Sequence, residues 1–131
     1  MNLEKNKLID CCIDITSDFN ISKAIHYILQ YKYRYNGTKK IWEYYNYSDN
    51  NWNTDNKCKF FKNDIEILVC NEFLKRLEYW NTNKNNKNDI DYNNDCDVKI
   101  TNLLLCCNKL KNKKYIITII KEARSLFEYE N

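Results

Sequence analysis

Apolar side chains recur at helical spacing in several stretches of the chain and alternate with polar ones in another. Ile21, Ala24, Ile25, Ile28 and Leu29 fall at i, i+3, i+4, i+7 and i+8. That is one stripe of a helix over 21–30, with Asn20 placed to cap it. Leu8, Cys11, Cys12 and Ile15 also have helical spacing, although 3–15 suits an extended segment as well. Over 64–80, Ile65, Leu68, Val69, Phe73, Leu77 and Trp80 share a helical face, and Asn63 with Glu66 makes a capping-box-like start. Ile100, Leu103, Leu104 and Cys107 open another helix near Asp97. After a turn at Asn108–Lys114, Tyr115, Ile116, Ile119, Ile120, Ala123 and Phe127 mark the last one.

Between the second and third helical stretches the period changes. Tyr31-Lys32-Tyr33-Arg34-Tyr35 alternates aromatic and basic residues as a half-buried strand does. Asn36-Gly37 follows, a pair suited to the positive φ angles of a type I′ hairpin turn. Thr38–Tyr47 reads as the return strand, Ser48-Asp49-Asn50 as a turn, and Asn51–Thr54 around Trp52 as a third strand. The expectation is an α+β fold, mainly helical, with a three-stranded antiparallel meander at about 31–54 packed on four or so helices. Residues 81–97 are low-complexity and polar and read as a flexible insertion in a loop. With 131 residues, the chain 1–131 makes one domain.

Composition narrows the function. Gly37 is the sole glycine and there is no proline. A glycine-rich phosphate loop and a dinucleotide fingerprint are therefore excluded, because both need several glycines for close backbone approach. A single histidine, His26, excludes most histidine metal sites and fits a structural or surface role better than catalysis. The carboxylates are scattered, and no serine or cysteine sits in a nucleophile motif. No catalytic residue, metal or cofactor is expected, nor an enzyme from this chain alone. Seven cysteines without a C-x-x-C spacing read as reduced core thiols. The longest apolar runs, such as Ile100–Cys107, fall about ten residues short of a membrane span. Nothing before Glu4 suggests a secretory signal. About one residue in six is Asn, and Lys, Ile and Tyr are abundant while Ala, Gly, Pro and Arg are scarce. That bias indicates an A/T-rich genome.

Charge is nearly balanced, with 21 basic against 18 acidic residues and a net charge of +3. The distribution says more than the total. Lys32, Arg34, Lys39 and Lys40 surround the hairpin turn with no acid from 31 to 42, and Lys109, Lys111, Lys113 and Lys114 form a second cluster. Tyr31, Tyr33, Tyr35, Trp42, Tyr44, Tyr45, Tyr47 and Trp52 interleave with the first. Cations follow a phosphate backbone while aromatic faces stack bases, as in sequence-tolerant single-strand binders. The candidate nucleic-acid contacts are thus Lys32, Arg34, Lys39, Lys40, Trp42, Tyr44, Trp52, Lys111, Lys113 and Lys114. The competing reading puts the aromatics in the core and leaves the lysines as solvated turns.

The stretch ISKAIHYILQYKYRYNGTKKIWEYYNYSDNNWNTD resembles the start of the domain preceding the superfamily 3 helicase in primase-helicases of poxviruses and giant DNA viruses, with relatives among phage and plasmid primases. Arg34, Tyr35, Trp42, Glu43, Tyr44, Trp52 and Asp55 supply that pattern in order, and the likeness extends over about 16–128. It implies a non-catalytic module of an ATP-dependent viral DNA-replication primase-helicase, lying between primase and motor. It further implies partners in the helicase and primase domains, single-stranded DNA, and homo-oligomerisation in the parent assembly. The location implied is the host-cell cytoplasm, at a viral replication site. The alternative is a stand-alone protein-interaction domain with no DNA contact.

Overall fold

The computed structural model describes residues 2–14, 16–85 and 88–129. The segment that suited either a helix or an extended chain is a helix, α1 (Leu3–Asp14), and it buries Ile9, Cys12 and Ile13. Helix α2 (Asp18–Leu29) buries the predicted stripe of Ile21, Ala24, Ile25 and Leu29. It begins earlier than the apolar pattern suggested. Ser17 is its cap, and its hydroxyl accepts the N–H of Asn20 at 3.1 Å.

The alternating segment forms β1 (Tyr33–Asn36), β2 (Ile41–Asn46) and β3 (Asn51–Thr54), paired antiparallel in sequence. The class is α+β and mostly helical, as expected, but the sheet has four strands. Two residues at the end of the described chain, β4 (Glu128–Tyr129), pair parallel with β1 and give the order β3-β2-β1-β4. A strand this short has no period to read. The first hairpin also differs from the two-residue type I′ turn expected. Asn36 pairs with Ile41, so the loop is Gly37 to Lys40, and the left-handed residue is Lys40 (φ 58°) rather than Gly37. The Asn36 side chain explains the change, because its Oδ1 accepts the N–H groups of both Thr38 and Lys39. Gly37 has a different use: a Cβ there would lie 2.5 Å from Oε1 of Glu128, at the flexible end of that side chain.

After β3 the chain turns on Asp55, which is 3% exposed. Its two carboxylate oxygens accept the N–H groups of Phe60 (3.0 Å) and Phe61 (2.9 Å). They thereby cap α3 (Lys59–Asp64) four residues ahead of the predicted Asn63 start. Lys57 and Cys58 between them are both left-handed, each at φ 55°. That conformation costs a non-glycine residue roughly 1–2 kcal/mol. A π-helical turn (Ile65–Val69) leads directly into α4 (Cys70–Asn85). Arg76 on α4 donates two hydrogen bonds to Asp10, at 2.9 and 2.6 Å, and Trp80 Nε1 adds a third at 3.3 Å, which fastens α4 to α1.

Much of 81–97, expected to be a flexible insertion, is helical. Helix α4 continues to Asn85, and α5 (Ile90–Leu110) starts well before Asp97, capped by Asp89. These ends lie against each other. Lys84 pairs with Asp97 at 2.6 Å, Lys99 sits 5.0 Å over the Trp80 ring, and Cys96 is buried. Within this polar stretch Cys96 is the one buried apolar side chain among the described residues, too few to show as a helical stripe. Asn86 and Lys87 lie outside the described residues. Helix α6 (Lys113–Phe127), capped by Asn112, follows a short turn and buries Ile116, Ile119, Ile120, Ala123 and Phe127.

Aromatic rings join the two layers. Trp42 packs on Tyr35 within the sheet and meets Phe61 and Phe127 from the helices, with centroid distances of 4.7 Å to Phe61 and 5.3 Å to Phe127. Tyr33 stacks on Phe61 at 4.6 Å. The cysteines are free thiols; Cys12, Cys70, Cys96, Cys106 and Cys107 are buried, and burial pushes Cys12 and Cys106 further toward the neutral thiol. His26 packs edge-on against Phe127 at 4.8 Å, and its partial burial lowers its pKa below 6.5. The folded chain thus favours neutral His26, while the unfolded chain binds the proton more readily. Stability from this group is present above pH 6.5 and lost as pH falls through and below it. A urea series at pH 7.5 and pH 5.5 should show the loss, and His26→Gln should remove that share of it.

Candidate nucleic-acid interface

Alternation along the strands gives the sheet two faces. Tyr33, Tyr35 and Trp42 point into the core, all 6% exposed or less, and Tyr44 points the same way to pack on Phe60 at 4.6 Å. Arg34, Glu43, Tyr45, Trp52 and Tyr129 take the other face, in the register Arg34–Glu43 and Tyr45–Trp52. The Arg34 guanidinium lies 4.3 Å from the Trp52 ring and 4.0 Å from the Tyr129 ring, and its Nε donates to Glu43 at 2.8 Å. Tyr129 also donates to Glu43, at 2.6 Å, and accepts from Asn36 Nδ2 at 3.1 Å. The bond to Glu43 pushes the Tyr129 phenol above its ordinary pKa, so it remains a donor at neutral pH. This sandwich clamps β4 and β3 onto β1 and β2. Each cation–ring contact contributes about 0.5–1 kcal/mol at such a part-exposed site.

Beyond the sandwich the rings continue toward solvent. Tyr45 meets Trp52 edge-on at 5.4 Å and Tyr47 at 4.8 Å, and Tyr47 is 61% exposed. The outer face therefore reads, from one end to the other, Lys39 and Lys40, Tyr129, Arg34 with Glu43, Trp52 with Tyr45, then Tyr47. At about 3.3 Å per strand residue that row spans roughly 20 Å, the reach of about three nucleotides.

The ten residues expected from sequence scatter across this arrangement. Trp42 is a core residue at 5% exposure, and no base reaches it. Tyr44 is on the inner face. Lys32 is held by Asp64 at 2.9 Å, which also accepts from Tyr33 Oη at 2.6 Å. Arg34 is occupied by Glu43 and the two rings. Trp52 is on the outer face, and Lys39 and Lys40 are exposed at its rim. Lys111, Lys113 and Lys114 are exposed at the far end of α6. The 15 residues of that helix place them about 20 Å from β4 at a rise of 1.5 Å per residue. The two basic clusters are thus separate surfaces. Tyr45 and Tyr47, named among the interleaved aromatics but not among the candidate contacts, belong to the outer row, as does Tyr129, which sequence reading missed. Strand alternation, once Trp42 is set inward, identifies Tyr45 and Tyr47; nothing local marks Tyr129.

Among the described residues, no group of three His, Cys, Asp or Glu side chains converges to hold a metal ion. No helix among them is long and apolar enough to cross a membrane. No family model, curated protein or solved structure matches the chain significantly.

Proposed function

We propose that the chain is a non-catalytic single-strand-handling module of a viral replicative primase-helicase, connecting primase to motor and contributing to ring assembly. The observation that carries the DNA-handling part is the solvent-facing row of Trp52, Tyr45 and Tyr47 with Lys39 and Lys40 at its rim. Ring faces take bases without regard to sequence, and the lysines neutralise phosphates. The assignment to a primase-helicase rests on the order of Arg34, Tyr35, Trp42, Glu43, Tyr44, Trp52 and Asp55 in the sequence.

Fluorescence anisotropy with a labelled oligo-dT tests the reading. Tyr47→Ala should weaken binding by about 5–100-fold, the worth of one stacked base, with an unchanged unfolding midpoint. Lys39→Ala with Lys40→Ala should weaken it further at low salt. Affinity unchanged by both sets of changes would exclude this face. The protein-interaction alternative is supported by Val98 and Leu105, exposed one above the other on α5 at 59% and 54%. A chain that self-associates in sedimentation yet ignores DNA at low salt would favour it.

A further inference from the structure

The fold gathers a group of lysines that the sequence leaves apart. Lys57, Lys59 and Lys62 approach a cleft of about 630 Å³ from one side, and Lys113 on the first turn of α6 approaches it from the other. That volume suits a small-molecule or short-oligomer site. Glu66 is the carboxylate lining the cleft, and Ile116 and Ile117 form its apolar wall. Among the described residues, none of the four lysines takes part in an ion pair. The nearby carboxylates are engaged elsewhere: Asp55 with the Phe60 and Phe61 N–H groups, Asp64 with Lys32 and Tyr33.

Ammonium groups sharing one concavity repel each other, and the arrangement becomes favourable when an anion of comparable charge enters. The first turn of α6, its positive end, borders the same cleft through Lys113 and adds to the field. At the rim, Lys57 and Cys58 hold successive left-handed conformations, fixed by the hydrogen bond from Cys58 N–H to Asp55 O at 3.0 Å. Strain of this kind persists where the surrounding structure imposes it, and it concentrates at ligand sites.

We propose that this cleft is a phosphate-ester site that takes two or three phosphates of a nucleic-acid backbone or a nucleotide polyphosphate, with the ligand's sugar or base against the exposed Ile117. The cleft opens at the end of α6 remote from β4, so its occupancy is separable from binding on the outer sheet face. The site does not depend on the primase-helicase reading.

The test is amide NMR on the full chain at low salt, titrated in turn with pyrophosphate, ATP and dT12. Saturable shifts are expected at residues 57–62 and 113–117. Lys59→Ala with Lys62→Ala should weaken the tightest of these ligands at least tenfold. If that ligand is dT12, the same pair should also make the salt dependence of log K shallower by about 1.4, the loss of two backbone contacts. Tyr47→Ala should leave the cleft shifts in place, which separates this site from the sheet face. Equal binding of all three probes would identify a free polyphosphate as sufficient, and binding of dT12 alone would identify a strand; either supports the site. Absence of cleft shifts with every probe, or affinity unaffected by the double substitution in a chain that melts normally, would overturn it.

Discussion

Trp42→Ala is expected to cost about 3–5 kcal/mol of stability, read as a lower urea midpoint at unchanged slope. The indole is 5% exposed and touches Tyr35, Phe61 and Phe127, so its removal leaves a cavity where sheet and helices meet. Small domains are stable by about 5–15 kcal/mol, so the variant would be marginal. Any loss of DNA binding it shows therefore reports folding, and the exposed Tyr47 is the appropriate binding probe, as Tyr47→Ala. Trp42→Phe should cost much less than alanine. Trp42 Nε1 is buried with no hydrogen-bond partner among the described residues. Phenylalanine keeps most of the ring contact and removes that unpaired donor, which itself costs about 1–3 kcal/mol. A Phe variant as unstable as the Ala variant would show that the indole shape, rather than apolar burial, is what the core requires.

Asp55→Ala is expected to cost about 2–3 kcal/mol. It strips the acceptors from the Phe60 and Phe61 N–H groups, one of them in a buried bond, and so removes the cap of α3. It also releases the left-handed Lys57 and Cys58, so amide exchange should accelerate over 56–62 before the rest of the fold responds. Burial raises the Asp55 pKa above 3.8 against the opposing pull of the two backbone hydrogen bonds. With a raised folded value, its contribution to stability is fullest below pH 3.8 and declines as pH rises through that folded value. The deficit of Asp55→Asn should accordingly be larger near pH 4 than near pH 7. A deficit that grows with pH would mean that the backbone N–H bonds, and not burial, govern this carboxylate.

The helical stripes at 21–29 and 115–127 were legible because each buries a full 3.6-residue face. The meander was legible because Trp42 and its neighbours alternate. Three features escaped for three physical reasons. The helix start at Lys59 is set by a side chain four residues upstream, across two left-handed residues that carry no glycine to announce them. The helical ends of α4 and α5 hold together through a narrow seam, with Lys84–Asp97 and Trp80–Lys99, in a polar composition that resembles disorder. The strand β4 exists only through its partner β1 and the Arg34 sandwich. At the candidate surface, residue type alone was a poor guide. Trp42 and Trp52 have the same chemistry, but ten residues and one strand turn put one in the core and the other on the outer face. The lysines at 57, 59, 62 and 113 share a cleft by tertiary packing, which no spacing in the chain reveals.

The proposed function requires that this chain bind single-stranded nucleic acid through backbone charge and ring stacking. Anisotropy of a labelled 20-nucleotide oligo-dT, titrated with the full chain from 20 to 200 mM salt, tests it most directly. Binding is expected to be saturable, with log K falling linearly with log salt at a slope of about −2 to −3, the neutralisation of three or four phosphates. A mixed-sequence strand is expected to bind about as well. A chain that shows no saturation at 20 mM salt, or binding that does not weaken as salt rises, would contradict it.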